Sequence, residues 1–441
     1  MSSDTKSPSG PPTDALPSYA DAGGRPQQTA GSSSAGGMTE HHRFLETSKG
    51  RKWLGLSVKS RSPTAASMPA FVEGDTISGS VSIDLDKAES SKGITISIQG
   101  STTFVGQDEE VFFQEEVSLW TPSGNDGKLS GKQSWAFSFK LPAEVKVSEP
   151  QRGPLNTFRM PPNFTERASP AYIDYKLTAT VKRGFLKVNQ TLMTNIIYQP
   201  TTIPDPPSAV RRMAYWEGSP LVGPEGDPEG WKVLPPVKIQ GALSDKAVDI
   251  DCTLAVAIPL SYATGSPIPF MATFTGQDAS VLETVAVAKA IQLRLRRSMA
   301  TGDEATDDNG VRRTDNHFSQ DMGIGYFWPS QEGAAQPLKR VFQGELEVVK
   351  GLKPSFIFPK VSLRYTLVML PFDIQGFVPS SPPSPVLLSE PLKICSRQVP
   401  DLKIHSYAPP GYDKPNLIDY NKSVGLLENG NQRFLPHHTA R

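Results

Sequence analysis

Val248-Asp249-Ile250-Asp251-Cys252-Thr253-Leu254-Ala255-Val256-Ala257-Ile258 alternates along its whole length. Val248, Ile250, Cys252, Leu254, Val256 and Ile258 fall on one side; Asp249, Asp251, Thr253, Ala255 and Ala257 fall on the other. A period of two is that of a β-strand with one buried face. Upstream, the same period runs through Val81, Ile83 and Leu85, then Ile94, Ile96 and Ile98, then Trp135, Phe137, Phe139 and Leu141, and then Ile173, Tyr175, Leu177, Ala179 and Val181. Downstream, Ile291, Leu293 and Leu295 alternate with Gln292, Arg294 and Arg296, while Val361, Leu363, Tyr365, Leu367 and Met369 alternate with Ser362, Arg364 and Thr366. Pro and Gly punctuate the runs, so the expected fold is all-β, with two sandwich domains in tandem.

Composition agrees with that reading. The 441 residues include 41 Pro and 36 Gly, which suits many short strands and long connectors better than helices. Residues 1–47 are rich in Ser, Gly, Pro and Ala and read as a disordered tail. The first sandwich is expected over 48–203 and the second over 238–400. The segment 204–237 reads as a linker, because Gly218, Pro220, Gly223, Pro224, Gly226, Pro228 and Gly230 interrupt any element. Residues 401–441 read as a second flexible tail, and Thr301 to Asn316 as an acidic surface loop. Ala279 to Lys289 fits a helix, but Val281, Val285 and Val287 fit a strand equally well.

Lys+Arg and Asp+Glu balance at 45 each, so no global field draws the chain to nucleic acid or to an anionic bilayer. Cys252 and Cys395 are the only cysteines and lie outside any metal or disulfide spacing, which fits a reducing compartment. No signal-peptide pattern opens the chain and no apolar run reaches 18 residues, so a cytoplasmic protein is expected. The Asn-x-Ser/Thr triplets at Asn163, Asn189 and Asn421 then read as chance matches.

Phe71-Val-Glu-Gly-Asp-Thr-Ile-Ser-Gly-Ser-Val81 resembles the early signature of arrestin N-domains, with Gly74 and Gly79 expected to permit turns or bulges on either side of Ile77. Ile173-Asp-Tyr-Lys-Leu-Thr-Ala-Thr-Val181 resembles a strand late in that domain, and Ile268-Pro-Phe-Met-Ala-Thr-Phe274 a segment of arrestin C-domains. The resemblance spans about residues 50 to 400, and proline-tyrosine motifs in both tails make it a resemblance to α-arrestins, the arrestin-related trafficking adaptors. What it implies is two immunoglobulin-like sandwiches in a cytoplasmic adaptor recruited to plasma membrane or endosomes. Such an adaptor links membrane transporters or receptors to a WW-domain HECT-type ubiquitin ligase and promotes endocytosis. The alternative is a sorting or scaffold protein with the same double sandwich that acts without ubiquitin.

Pro409-Pro410-Gly411-Tyr412 is the sharpest short motif. Two prolines preset a polyproline II turn and present a tyrosine to the aromatic groove of a WW domain. Six Pro-Pro pairs and 11 tyrosines in 441 residues give about 0.15 such matches by chance. Leu16-Pro17-Ser18-Tyr19 is a degenerate copy with leucine for the first proline, and the two together could engage a multi-WW ligase bivalently. Pro161-Pro-Asn-Phe164 lacks the tyrosine and reads as a turn inside a domain. Arg294, Arg296 and Arg297, with Lys289 before them, are candidates for contact with acidic cargo tails or anionic headgroups, against the plainer reading of a solvated strand face. Arg211 and Arg212 in the linker are weaker candidates of the same kind.

Catalytic patterns are missing: there is no GxxxxGK[ST], GxSxG or HExxH, and Gly323 and Gly325 lack a third glycine. The pairs Asp84/Asp86 and Asp249/Asp251 put two carboxylates on one strand face, but each lies opposite an apolar stripe and reads as solvated. His41-His42 and His437-His438 fall in the expected tails, while His317 and His405 are isolated, so no metal set is named. Asp108-Glu109-Glu110 reads as a solvated charge run. The expectation is therefore no enzyme, no metal and no cofactor.

Overall fold

A computed structural model describes residues 37–122, 128–148, 153–166, 169–183, 187–303, 305–307, 317–330, 332 and 336–410. The first half contains β1 (Thr39–Glu46), β2 (Lys52–Ser60), β3 (Ala70–Val72), β4 (Thr76–Ser90), β5 (Gly93–Phe104) and β6 (Glu110–Trp120). It continues with β7 (Lys128–Lys140), β8 (Glu144–Ser148), β9 (Leu155–Arg159), β10 (Ala171–Lys182) and β11 (Gln190–Gln199). These form a four-stranded sheet ordered β1-β2-β4-β7, a five-stranded sheet ordered β3-β11-β10-β5-β6, and the β8-β9 ribbon.

The second half opens with α1 (Ala209–Glu217), β12 (Trp231–Val233), β13 (Val237–Leu243), β14 (Lys246–Ala257), β15 (Ser261–Ala263), β16 (Pro267–Gly276) and α2 (Ala279–Val285). Then come β17 (Leu293–Thr301), β18 (His317–Ile324), β19 (Tyr326–Pro329), β20 (Lys339–Glu347) and β21 (Phe356–Phe358). The last are β22 (Val361–Met369), β23 (Phe377–Pro379) and β24 (Leu388–Cys395). One sheet runs β19-β20-β16-β14-β13-β23 with β12 also on β14; the other runs β15-β24-β22-β17-β18 with β21 on β22.

The molecule is an all-β assembly of open sheets with sandwich character, and the alternating residues named above are its core. Leu54, Leu56, Val81, Ile83, Ile94, Ile96, Ile98, Tyr175 and Leu177 are buried in the first half, and Ile250, Cys252, Leu254, Leu293, Leu295, Leu363 and Tyr365 in the second. Each large side chain removed from water contributes roughly 1.5–3 kcal/mol before the entropy of ordering is set against it. Two of the buried tyrosines have their hydroxyls bonded: Tyr175 donates to the Pro161 carbonyl at 2.6 Å and Tyr365 to the Lys353 carbonyl at 2.6 Å.

Three segments expected to lack structure carry it. β1 occupies Thr39–Glu46 and pairs in register with β2, with His41 bonded through Nε2 to Ser60 Oγ at 2.8 Å and Lys52 Nζ 4.4 Å above the Phe44 ring. Backbone pairing and these few contacts hold a strand that composition alone does not reveal. Within 204–237, α1 forms because Ser208 caps it, accepting the Arg211 N–H at 3.1 Å, and left-handed Gly218 ends it. The prolines and glycines flank the helix without entering it. Residues 401–410 lack strands but pack back on the second half, as described below. The ambiguous Ala279–Lys289 run is helical only over α2, Ala279–Val285, and extended at Val287; Asp278 caps the helix, its carboxylate accepting the Ser280 and Val281 N–H groups at 2.8 and 3.2 Å.

The two glycines of the Phe71–Val81 stretch do different work. Gly74 takes φ +89 in the turn before β4, as a turn glycine should. Gly79 is neither turn nor bulge but lies inside β4 opposite Val58 and Phe137. A Cβ there would lie 1.9 Å from the Ser57 carbonyl oxygen, so glycine is required by close approach.

Candidate partner-binding site

The outer face of β14, β16 and β20 is covered. Alternation along β14 predicts Ala255 and Ala257 in solvent, yet both are buried with Met271, Val341 and Trp231 in a small second core. The cover is the segment between the halves. Trp231 donates from Nε1 to the Val222 carbonyl at 2.8 Å, and the Arg211 guanidinium stacks 4.7 Å above its ring. Arg211 is buried and donates to the Ile258 carbonyl at 2.9 Å and to the Gly230 carbonyl, while Ser208 donates to Asp227 at 2.6 Å. Burial lowers the Arg211 value, against the pull of Tyr215, Tyr262 and Asp227. It is a structural side chain, not a surface cation.

Beside this cover the chain end is held down. Glu345 on β20 is 1% exposed and accepts the Ser406 hydroxyl at 2.6 Å and the Tyr407 N–H at 2.5 Å. Tyr326 OH lies 3.4 Å from the same carboxylate. The rings of Tyr215, His405 and Tyr407 cluster with centroids 4.6 to 5.9 Å apart. Burial, then the Glu345 charge, pushes the Tyr326 hydroxyl up to about 12 and moves Tyr407 in the same direction. The Ala408 N–H donates to Ser406 Oγ at 3.2 Å, and Pro409 and Pro410 follow at once, both exposed. Tyr412, Leu16, Pro17 and Tyr19 lie outside the described residues, as do His437, His438 and Asn421.

The three arginines of β17 do not act as one patch. Arg294 donates to the Leu293 carbonyl at 3.0 Å and to Gln292 Oε1 at 2.8 Å, and Arg296 pairs with Asp321 at 2.7 Å. Arg297 takes the opposite side, is 8% exposed and pairs with Glu166 of the first half at 3.1 Å. The step from Arg296 to Arg297 crosses the strand, which is why a shared face for all three fails. Of the carboxylate pairs, Asp251 binds Lys238 at 3.0 Å and Asp249 accepts from Gln240 at 3.1 Å, while Asp84 and Asp86 both pair with Arg51. Glu109 of the acidic run pairs with Lys176 at 2.6 Å.

The two halves meet through aromatic and polar contacts. Phe358 packs edge-on against Phe112 at 4.8 Å and Phe158 at 5.9 Å, and Phe164 meets Phe356 at 5.3 Å. Glu166 also receives Lys353 at 2.9 Å, and Lys360 reaches Glu110 at 2.5 Å. Thr202 and Ser396 exchange hydrogen bonds at 2.9 Å each. Beside this junction a groove of about 510 Å³ is lined by Met160, Pro200, Phe356, Pro391 and Leu392, with Arg159 and Lys393 also on its wall.

Glu345 and Glu166 escape sequence reading because both sit where solvent exposure is the default for a carboxylate. The one local hint at Glu345 is the run of small residues Ala255, Ala257 and Gly344 nearby, which suits a covered face. Among the described residues no group of three or more metal-ligating side chains occurs, and no helix is long and apolar enough to cross a membrane. No family model matches the chain, and no curated protein matches it.

Proposed function

We propose that the chain is a non-enzymatic adaptor of the α-arrestin type, with two immunoglobulin-like sandwiches in tandem. In this reading it presents Pro409-Pro410-Gly411-Tyr412 to a WW-domain HECT-type ubiquitin ligase and brings membrane transporters or receptors to it for ubiquitination and endocytosis. The supporting observation is the placement of the motif: its two prolines are exposed and follow directly on a segment clamped by Glu345. A fixed departure point and a preset polyproline turn both lower the entropy lost on binding. Tyr19 supplies a second, weaker contact, and cytoplasmic tails of cargo are met by the sandwich surfaces.

The test is recovery from cells with wild type and Tyr412→Ala as bait. The adaptor reading expects a WW ligase and a membrane transporter with wild type, and the transporter alone with the variant. Equal ligase recovery from a Tyr19→Ala/Tyr412→Ala chain contradicts it.

A further inference from the structure

We propose that Ser406 is a phosphorylation site whose modification releases the segment 403–408 and so weakens ligase binding at the Pro409–Tyr412 motif. The consequence for ligase binding rests on the WW-binding reading; the release itself rests on the fold alone.

The residue is exposed, yet its hydroxyl proton is committed to Glu345 Oε2 at 2.6 Å. A protein kinase would remove that proton. Ser406 Oγ attacks the γ-phosphorus of a nucleoside triphosphate, the new O–P bond forms as the bond to the β–γ bridging oxygen breaks, and nucleoside diphosphate leaves. The hydroxyl proton passes to the kinase base. The donor that Glu345 needs is thereby replaced by a group carrying about −1.5 to −2 charges at neutral pH. Two anions then face each other where one is almost wholly removed from water, and like-charge repulsion at that depth is far stronger than on an open surface.

The buried Arg211 does not convert the clash into a new bond. The Arg211 guanidinium is held by the Ile258 and Gly230 carbonyls and by the Trp231 face. The Tyr407 N–H donates to the other Glu345 oxygen at 2.5 Å, so expulsion of Ser406 takes its neighbour with it. The Ala408 N–H bond to Ser406 Oγ, the last contact before Pro409, is lost in the same event.

The experiment compares the full chain carrying phosphoserine at 406 with the unmodified chain and with Ser406→Ala. Amide hydrogen exchange at Tyr407 should accelerate by at least about tenfold on phosphorylation, while Leu346 in β20 keeps its protection. Ser406→Ala, which removes a hydrogen bond without adding charge, should accelerate it by less than the phosphoserine does. Unchanged Tyr407 exchange in the phosphorylated chain overturns the proposal. Titration with a purified WW domain should show weaker binding to the phosphorylated chain, whose motif no longer leaves from a fixed point; equal affinity with faster exchange overturns the effect on the motif. Binding to neither form, with exchange accelerated, overturns the ligase reading and upholds the release.

Discussion

Arg297 Nη1 lies 3.1 Å from Glu166 Oε1, and Lys353 Nζ lies 2.9 Å from the same oxygen, so one carboxylate of the first half receives two cations of the second. The pair is mostly withdrawn from water, and its value lies less in net attraction than in the penalty for breaking it. Glu166→Ala leaves Arg297 buried beside a hole and should cost about 3 kcal/mol in urea unfolding. Adding Arg297→Met should recover part of that loss. A single variant as stable as wild type would mean the junction is held by its remaining aromatic and polar contacts.

Gly79→Ala places a methyl 1.9 Å from the Ser57 carbonyl oxygen and 2.8 Å from the Phe137 ring. β2 and β4 must part to admit it. The expected loss is about 3 kcal/mol by thermal or urea unfolding. Gly37→Ala, where nothing lies within 4 Å of the added atom, serves as the control and should be neutral within about 0.5 kcal/mol.

Cys252 and Cys395 are free and buried, and burial pushes both thiols up, away from the reactive thiolate. A disulfide-exchange reagent at neutral pH should titrate neither cysteine in the folded chain and both in denaturant. Rapid reaction of one thiol under native conditions would show that its sheet opens readily.

Burial raises the Asp75 carboxyl, but two hydrogen bonds from Arg61 at 2.6 Å, the Val72 N–H at 3.0 Å and the Arg61 charge bring it below its ordinary value. A carboxyl whose folded pKa is depressed contributes stability that is full above its unfolded value of about 3.9 and is lost as pH falls through the folded value. The stability gap between wild type and Asp75→Asn should therefore be largest at neutral pH and narrow below about pH 4. A gap of constant size across that range contradicts the assignment.

Periodicity carried most of the strands. Val248 to Ile258, Ile173 to Val181 and Val361 to Met369 alternate cleanly because one face of each strand is apolar, and the core follows from them. What stayed hidden depends on contacts distant in sequence. Thr39–Glu46 is polar enough to pass for a tail and becomes a strand by pairing with Lys52–Ser60. Ser208 and Gly218 were available as helix caps, but the prolines and glycines around them masked the nine helical residues between. Glu345 is invisible as a clamp until Ser406, 61 residues away, is folded onto it. Arg297 reads as one of three surface cations until the partner in the other half, Glu166, is placed. The motif at Pro409–Tyr412 was readable from residue chemistry alone; its anchored approach was not.

WW-domain binding through Tyr412 is the step on which the proposed adaptor role depends. It is tested most directly by calorimetric titration of the purified full chain with a recombinant WW domain from a HECT-type ligase. Wild type should bind, and Tyr412→Ala should weaken binding by at least about tenfold, or about 1.4 kcal/mol. Undiminished affinity in the Tyr19→Ala/Tyr412→Ala chain would contradict the account.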